Sequence, residues 1–260
     1  MRCVSDPGWG WLGAAATRND KRKVAEMYDE VAGVYEEAAA PLMHYAAAVR
    51  AFLAENVPPG GRVLDLGCGT GQMTRDLPGE VEVVGLDIST AMVERAHQGR
   101  PSGTYMVHDF HKALPAALGQ FDSVIASGAF DFCEDLTLVI GNVAAALRSG
   151  GRFYFNVNEL REEVPCQGER WTRAGPSEVR IFFWTFTEAV AAIEASALRP
   201  RSYVYAPGWK SEYLQTTIHC GYWVVERVHG RALQTRGPCC GVGISARLSG
   251  SRTRAPHPAA

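Results

Sequence analysis

The sequence predicts an α/β fold, doubly wound, on a mostly parallel sheet with helices on both faces. Three observations carry that prediction. A short apolar strand, Arg62-Val63-Leu64-Asp65-Leu66, runs into a glycine-rich turn, Gly67-Cys68-Gly69-Thr70-Gly71. Strand-like and helix-like segments alternate five times, and strand–helix–strand crossovers make parallel neighbours. Two stretches of alternating polarity then follow, Arg201 to Ala206 and Thr217 to Arg227, which read as two more strands joined by a loop containing Trp209.

Composition narrows the classes. The chain has 260 residues, enough for one sizeable domain with appendages. Its net charge of −2 gives no reason to expect nucleic acid as a partner. No apolar run reaches the roughly 20 residues of a membrane helix, and Trp9, Trp11 and Leu12 do not make a signal-peptide core. Seven cysteines are scattered without a zinc-type Cys-x-x-Cys pair, which suits a reducing cytoplasm and no metal. Residues 1–20 have no period and read as a disordered leader. Residues 21–227 carry the domain. Residues 228–260 hold five arginines and no acid, and read as a disordered basic tail.

From Lys21, the residues Val24, Met27, Tyr28, Val31 and Tyr35 recur on one helical face. A second helix is predicted from about Pro41 to Glu55, ended by Pro58-Pro59-Gly60-Gly61. In the glycine turn, glycines at alternate positions let a ligand approach the backbone. A helix over Gln72–Leu77 would then offer it free N–H groups. Asp65 is odd for a core strand; a carboxylate emerging there suits a ligand with a positive head. Gly-x-Gly also opens dinucleotide sites, but the spacing here is Gly-x-Gly-x-Gly, and Asp65 would repel a pyrophosphate. A second strand, Val81 to Leu86, ends in Asp87, which is placed to accept hydrogen bonds from two ribose hydroxyls. Ile88 and Met92 are candidates for apolar contact with a base. Ser89 caps a helix from about Thr90 to His97.

A third strand, Thr104 to Val107, leads to His108-Asp109-Phe110. The fourth, from Phe121, ends in Ser127-Gly128-Ala129-Phe130, where ligand and substrate meet in open α/β sheets. A helix from Asp135 to Leu147 precedes strand five, Arg152 to Val157. The insertion 158–184 is polar and without helical period: a solvated surface or a binding loop. Thr185-Phe186-Thr187-Glu188 fits a capping box opening a helix to about Leu198.

The run Val63-Leu64-Asp65-Leu66-Gly67-Cys68-Gly69-Thr70-Gly71 resembles the first motif of the class I S-adenosylmethionine (SAM)-dependent methyltransferase family. SAM carries the positive head that Asp65 calls for. Tyr28-Asp29-Glu30-Val31-Ala32-Gly33-Val34-Tyr35 is similar to the Tyr-Asp-x-x-Ala-x-x-Tyr opening of that family's small-molecule enzymes. Phe121-Asp122-Ser123-Val124 matches the family's Phe-Asp-x-Val. Arg148-Ser149-Gly150-Gly151-Arg152 resembles its Leu-x-Pro-Gly-Gly turn, with Ser149 replacing proline. The resemblance covers roughly Lys21 to Arg227. It implies a seven-stranded sheet with an antiparallel last strand and an N-terminal helical lid over residues 21–57. It implies SAM as cofactor, S-adenosylhomocysteine (SAH) as product, and a cofactor site of Tyr28, Asp65, Gly67, Gly69, Gly71, Asp87, Ile88, Asp109, Phe110 and Ser127. Within it, Asp109 would take the adenine amino group, the Phe110 backbone would meet the ring, and Tyr28 would reach the cofactor. Tyr28 and Tyr35 packing the helix onto the sheet is the alternative.

The implied reaction is methyl transfer to a nucleophile held in line, where proximity supplies much of the rate. A base is needed only if the nucleophile arrives protonated. Candidate bases are His44 and Glu159, with His108, His111 and His219 behind them. No Asn/Asp-Pro-Pro-aromatic motif follows strand four, which argues against methylation of base amino groups or glutamine side chains by that motif. A small organic acceptor is expected, and Tyr35, Phe130 and Trp171 are its candidate contacts. Two other classes stay open: a SAM-binding protein without methyl transfer, and a nicotinamide-dependent oxidoreductase, which the glycine spacing and Asp65 disfavour.

Overall fold

The computed structural model describes residues 18–39, 43–161, 170–174 and 178–228. The expected leader up to residue 17, Pro41 and Leu42 of the second helix, and the tail beyond Val228 lie outside the described residues. The chain begins with α1 (Lys21–Val31) and α2 (Tyr35–Ala39). Asp20 caps α1 by accepting from the Arg22 N–H at 3.0 Å. The single helical face predicted through Tyr35 is broken by a turn at residues 32–34, where Gly33 is a weak helix former. Val31 is consequently 38% exposed. Next comes α3 (Ala46–Asn56), which buries Val49, Phe52 and Leu53.

The sheet begins with β1 (Arg62–Leu66) and β2 (Glu82–Asp87). It continues through α4 (Thr90–Gly99), β3 (Thr104–Val107), β4 (Phe121–Ala126), α5 (Leu136–Ala146) and β5 (Leu147–Asn158). A separate antiparallel hairpin, β6 (Trp171–Arg173) and β7 (Arg180–Phe182), occupies the polar insertion. Then follow α6 (Phe186–Glu194), β8 (Leu198–Ser211) and β9 (Thr216–Arg227). The order across the sheet is β3-β2-β1-β4-β5-β9-β8. The first five strands are parallel; β9 is antiparallel to both β5 and β8. This is the doubly wound, mostly parallel seven-stranded sheet with an antiparallel last strand.

The alternation of side chains explains the two layers. Val63, Val83, Ile125 and Tyr154 pack with α3 on one face. Leu64, Leu86, Val124 and Phe155 pack with α5 and α6 on the other. Caps close the helices as the sequence predicts: Ser89 accepts from the Met92 N–H at 3.1 Å, and Thr185 and Glu188 form a reciprocal capping box.

Two elements differ from expectation. Residues 72–77 form successive turns instead of a helix, with one helical bond from Arg75 N–H to the Gly71 carbonyl at 2.9 Å. Arg100, 7% exposed, reaches the end of this segment. Its guanidinium donates to the carbonyls of Arg75, Leu77, Pro78 and Val81 at 2.5–3.1 Å, which satisfies them without a helix. Trp209 lies inside β8 opposite Ile218, beside a register shift, and not in a connecting loop. Among the described residues, no helix is long and apolar enough to cross a membrane. None of them forms a His/Cys/Asp/Glu group placed to hold a metal.

Candidate active site

A cleft opens at the C-terminal ends of β1, β2 and β4. Lys21, Val24 and Tyr28 of α1 and Tyr35 of α2 form one wall; Gly67, Gly69, Asp87, Ile88, Met92, Asp109, Phe110, His111, Ser127, Gly128, Ala129 and Phe132 form the rest. Of the cofactor residues expected from the sequence, Tyr28, Gly67, Gly69, Asp87, Ile88, Asp109, Phe110 and Ser127 line this cleft, and so does Tyr35.

The glycine turn is held from below. Gly67 and Cys68 donate their N–H groups to the Leu86 carbonyl at 2.7 and 3.0 Å. Gly69 has φ +51°, and a Cβ there would find only Tyr35 Cε1, 3.9 Å away. The cleft floor at Gly69 is therefore open to a ligand. The Gly69 N–H donates to Asp87 Oδ2 at 2.8 Å, and the Ser89 N–H to Oδ1 at 2.9 Å. Asp87 thus ties the turn to the start of α4 while each oxygen keeps a lone pair for a ligand hydroxyl. Burial raises its pKa. Gly71 does not line the cleft: at φ +74° its Cα packs on α4, where a Cβ would sit 3.2 Å from Ala96 Cβ.

Asp65 is 2% exposed and is likewise absent from the cleft wall. Thr74 Oγ1 donates to its Oδ2 at 3.0 Å. Burial pushes its pKa up to about 7, with the charge of Asp87 adding to the effect. The expected emergence of this carboxylate toward a ligand is replaced by a bond inside the turn that it braces.

At the other end of the cleft, Asp109 Oδ1 accepts from the His111 backbone N–H at 3.0 Å and lies 2.9 Å from His111 Nδ1. The Glu134 N–H donates to His111 Nε2 at 3.1 Å, which assigns the imidazole proton to Nδ1. Burial works to raise the Asp109 pKa, but the His111 bonds and the charge of Lys21 outweigh it and hold it at about 2. Lys21 is itself held by Glu134 at 2.7 Å. Ser127 Oγ is shut from solvent with no hydrogen-bond partner. An orphaned buried hydroxyl on a cleft wall is what a polar ligand would satisfy.

The structure does not bring five other candidates to the cleft. Phe130 is fully buried against Phe110, Phe153 and Phe155, so it is core. Trp171 lies on β6 under the Arg180 guanidinium, 4.5 Å from the ring centroid, in a separate surface groove. His44 is exposed and lines a groove beside α3 with Tyr45 and Tyr154. Glu159, 4% exposed, accepts from Tyr203 Oη at 2.5 Å and from Arg161 at 2.8 Å, so its charge is spent on that pair. His219 stacks on Tyr205 with centroids 5.2 Å apart.

Sequence reasoning missed two acids. Asp29 of α1 accepts from Ser89 Oγ at 2.5 Å and from the Ala91 N–H at 3.0 Å, which fastens α1 to the start of α4. Its signal was its place in the Tyr28–Tyr35 motif. Asp131 sits in a single 3-10 turn, Phe130–Phe132, directly after the β4 end. Its Oδ1 is buried and has no hydrogen-bond partner, and Asn158 bonds the carboxylate. Burial pushes its pKa up to about 7. Its signal was an acid between two phenylalanines in the segment marked as substrate side.

Comparison with known proteins agrees with this architecture. A methyltransferase-domain family model matches residues 64–155. A malonyl-[acyl-carrier protein] O-methyltransferase of Methylococcus capsulatus is 31% identical over 150 residues, covering 56% of this chain and 54% of that protein. The chain spans about half or less of the length of the curated relatives it matches. A SAM-dependent methyltransferase of Methanosarcina mazei superposes with TM-score 0.58 at 15% identity, covering 68% of this chain and 96% of that one. The [4+2]-cyclase SpnF superposes with TM-score 0.64 at 16% identity, covering 82% and 98%, a likeness of fold alone. With the glycine turn, the acid-ended second strand and the antiparallel last strand in place, residues 64–155 match a methyltransferase domain, on the fold that solved SAM-dependent methyltransferases share.

Proposed function

We propose that this protein transfers the methyl group of SAM to a nucleophilic atom of a small organic molecule. The observation that carries the reading is the convergence of Gly69, Asp87, Asp109 and the orphaned Ser127 hydroxyl on one cleft under α1 and α2. In it, Asp87 holds the ribose hydroxyls, Asp109 and Phe110 the adenine, and Gly67, Gly69, Ser127 and Tyr28 the amino-acid end. When bound, SAM supplies a methyl carbon made electrophilic by the sulfonium. The chain's own part is to orient the acceptor behind that carbon and exclude water, and α1 and α2 are placed to do both. The relative that acts on a malonyl group of acyl-carrier protein supports a small or carrier-linked acceptor. A reducing cytoplasmic setting is supported by the free buried thiols of Cys68, Cys133 and Cys220.

A second reading, SAM binding without methyl transfer, is favoured by one observation: the same fold carries a [4+2]-cyclase. Calorimetric titration with SAM, SAH and NADH tests the first step. SAM and SAH should bind, NADH should not, and Gly69→Val should abolish binding by placing bulk on the open floor. Binding of NADH alone would sink the proposal. Release of SAH in the presence of small hydroxyl and amine acceptors then separates methyl transfer from mere binding.

A further inference from the structure

Asp131 is an acid that the cofactor site does not use, partly exposed as a residue but with Oδ1 shut from solvent. It follows the cleft residues Ser127, Gly128 and Ala129 and precedes Phe132, whose ring lies 5.6 Å from that of Tyr28. Its charge is felt by Tyr28 and Tyr35 on the cleft wall and by Tyr45, Cys220 and Tyr222 behind them. Tyr35 feels Asp87 as well, so it stands near both acids. Burial raises the pKa of each of these five groups, so all are neutral near pH 7. Asn158, which orients the carboxylate, is in turn held: its Oδ1 accepts from Trp209 Nε1 at 2.9 Å and its Nδ2 donates to the Phe182 carbonyl at 3.2 Å.

Among the described residues, no cation answers this carboxylate. Lys21 is held by Glu134 and Arg161 by Glu159. Asp131 therefore presents one fixed oxygen, Oδ1, with nothing to accept from, in surroundings of aromatic rings and neutral hydroxyls. A group of that kind stabilises a donor and repels an anion, and burial strengthens both effects.

Resting on the methyl-transfer reading, we infer that Asp131 meets the acceptor: it takes the proton of a hydroxyl or amine nucleophile and excludes acceptors that present a carboxylate. The acceptor oxygen or nitrogen forms the new bond to the methyl carbon, and the C–S bonding pair stays on sulfur. The proton released by the acceptor passes to Asp131 Oδ1 and then to solvent, so no oxidant or further reactant is required. The pKa of about 7 lets Asp131 hold and release that proton at ordinary pH.

The test uses the full chain saturated with SAH, with phenol and benzoate as probes of equal ring size. At about pH 8, phenol should bind roughly tenfold or more tightly than benzoate, and its binding should shift the carboxyl carbon resonance of Asp131. Asp131→Asn keeps the bond to Asn158 and removes the charge; it should bring benzoate level with phenol. In the unaltered protein, lowering the pH to about 5.5 should also admit benzoate, because Asp131 is then protonated. Equal binding of the two probes in the unaltered protein at the higher pH, or a preference that neither the substitution nor the lower pH changes, overturns the inference. SAH affinity measured alongside keeps the two readings separate. Loss of SAH binding in the unaltered protein removes the proposed function itself; normal SAH binding with no probe preference removes only the role of Asp131.

Discussion

Asp65→Asn should stabilise the protein at alkaline pH and leave it unchanged in acid. Asp65 is sealed beneath the glycine turn with Thr74 as its hydrogen-bond donor, and its pKa stands at about 7 against an ordinary value near 3.8. Below the ordinary value the group is neutral in both folded and unfolded chains and has no effect. Between the two values the unfolded chain gives up the proton and the folded protein keeps it, so stability falls as pH rises and levels off above about pH 7. A shift of roughly three units corresponds to about 4 kcal/mol. Asparagine can still accept the Thr74 bond through its amide oxygen and never charges. Urea unfolding at about pH 5 and about pH 8 should show the variant exceeding the parent by about 1.5 kcal/mol at the lower pH and by up to about 4 kcal/mol at the higher. Asp131 titrates over the same window, so the variant should retain a decline of its own. If parent and variant lose the same stability between the two pH values, the burial argument for Asp65 is wrong.

Three more outcomes follow from the geometry. Asp87→Ala strips the Gly69 and Ser89 N–H groups of their acceptor and should weaken SAH binding by about 1–3 kcal/mol; unchanged affinity by calorimetry would remove Asp87 from the ribose role. Ser127→Ala removes a buried hydroxyl that nothing satisfies, so it should raise the melting temperature of the ligand-free protein while weakening SAH by about 1 kcal/mol. A fall in stability would show that the hydroxyl is already bonded. Arg100→Lys cannot serve four carbonyls with one ammonium and should cost about 3 kcal/mol in urea unfolding; a neutral result would mean water takes over that role.

The parallel strands were legible in the sequence because continuous apolar runs bounded by turn residues leave few other readings. Asp87 and the turn glycines were legible because their roles depend on near neighbours along the chain. The rest was set by partners far away. Residues 72–77 look helical until Arg100, more than 20 positions on, collects their carbonyls. Glu159 looks like an available base until Tyr203 and Arg161 claim it. Asp131 looks like one more turn acid, because only the packed fold reveals its Oδ1 as shut from solvent and unbonded beside Asn158. Asp65 was singled out correctly as anomalous for a core strand, yet local pattern could not say that Thr74 would receive it.

The place of β9 has a consequence for how the chain matures. Among the described residues it is the last strand in chain order, yet it lies between β5 and β8 rather than at a margin. Until Thr216–Arg227 has left the ribosome, β5 is an open edge over Arg152–Asn158, with Phe153, Phe155 and Val157 uncovered by their eventual neighbours. A nascent chain stalled there, or one shortened within β9, exposes a long apolar edge suited to pairing with another copy. Synthesis of the final strand therefore decides whether the sheet closes on itself or on a stranger. Small losses near residue 220 should be read out first as aggregation in the cell and only second as lost chemistry.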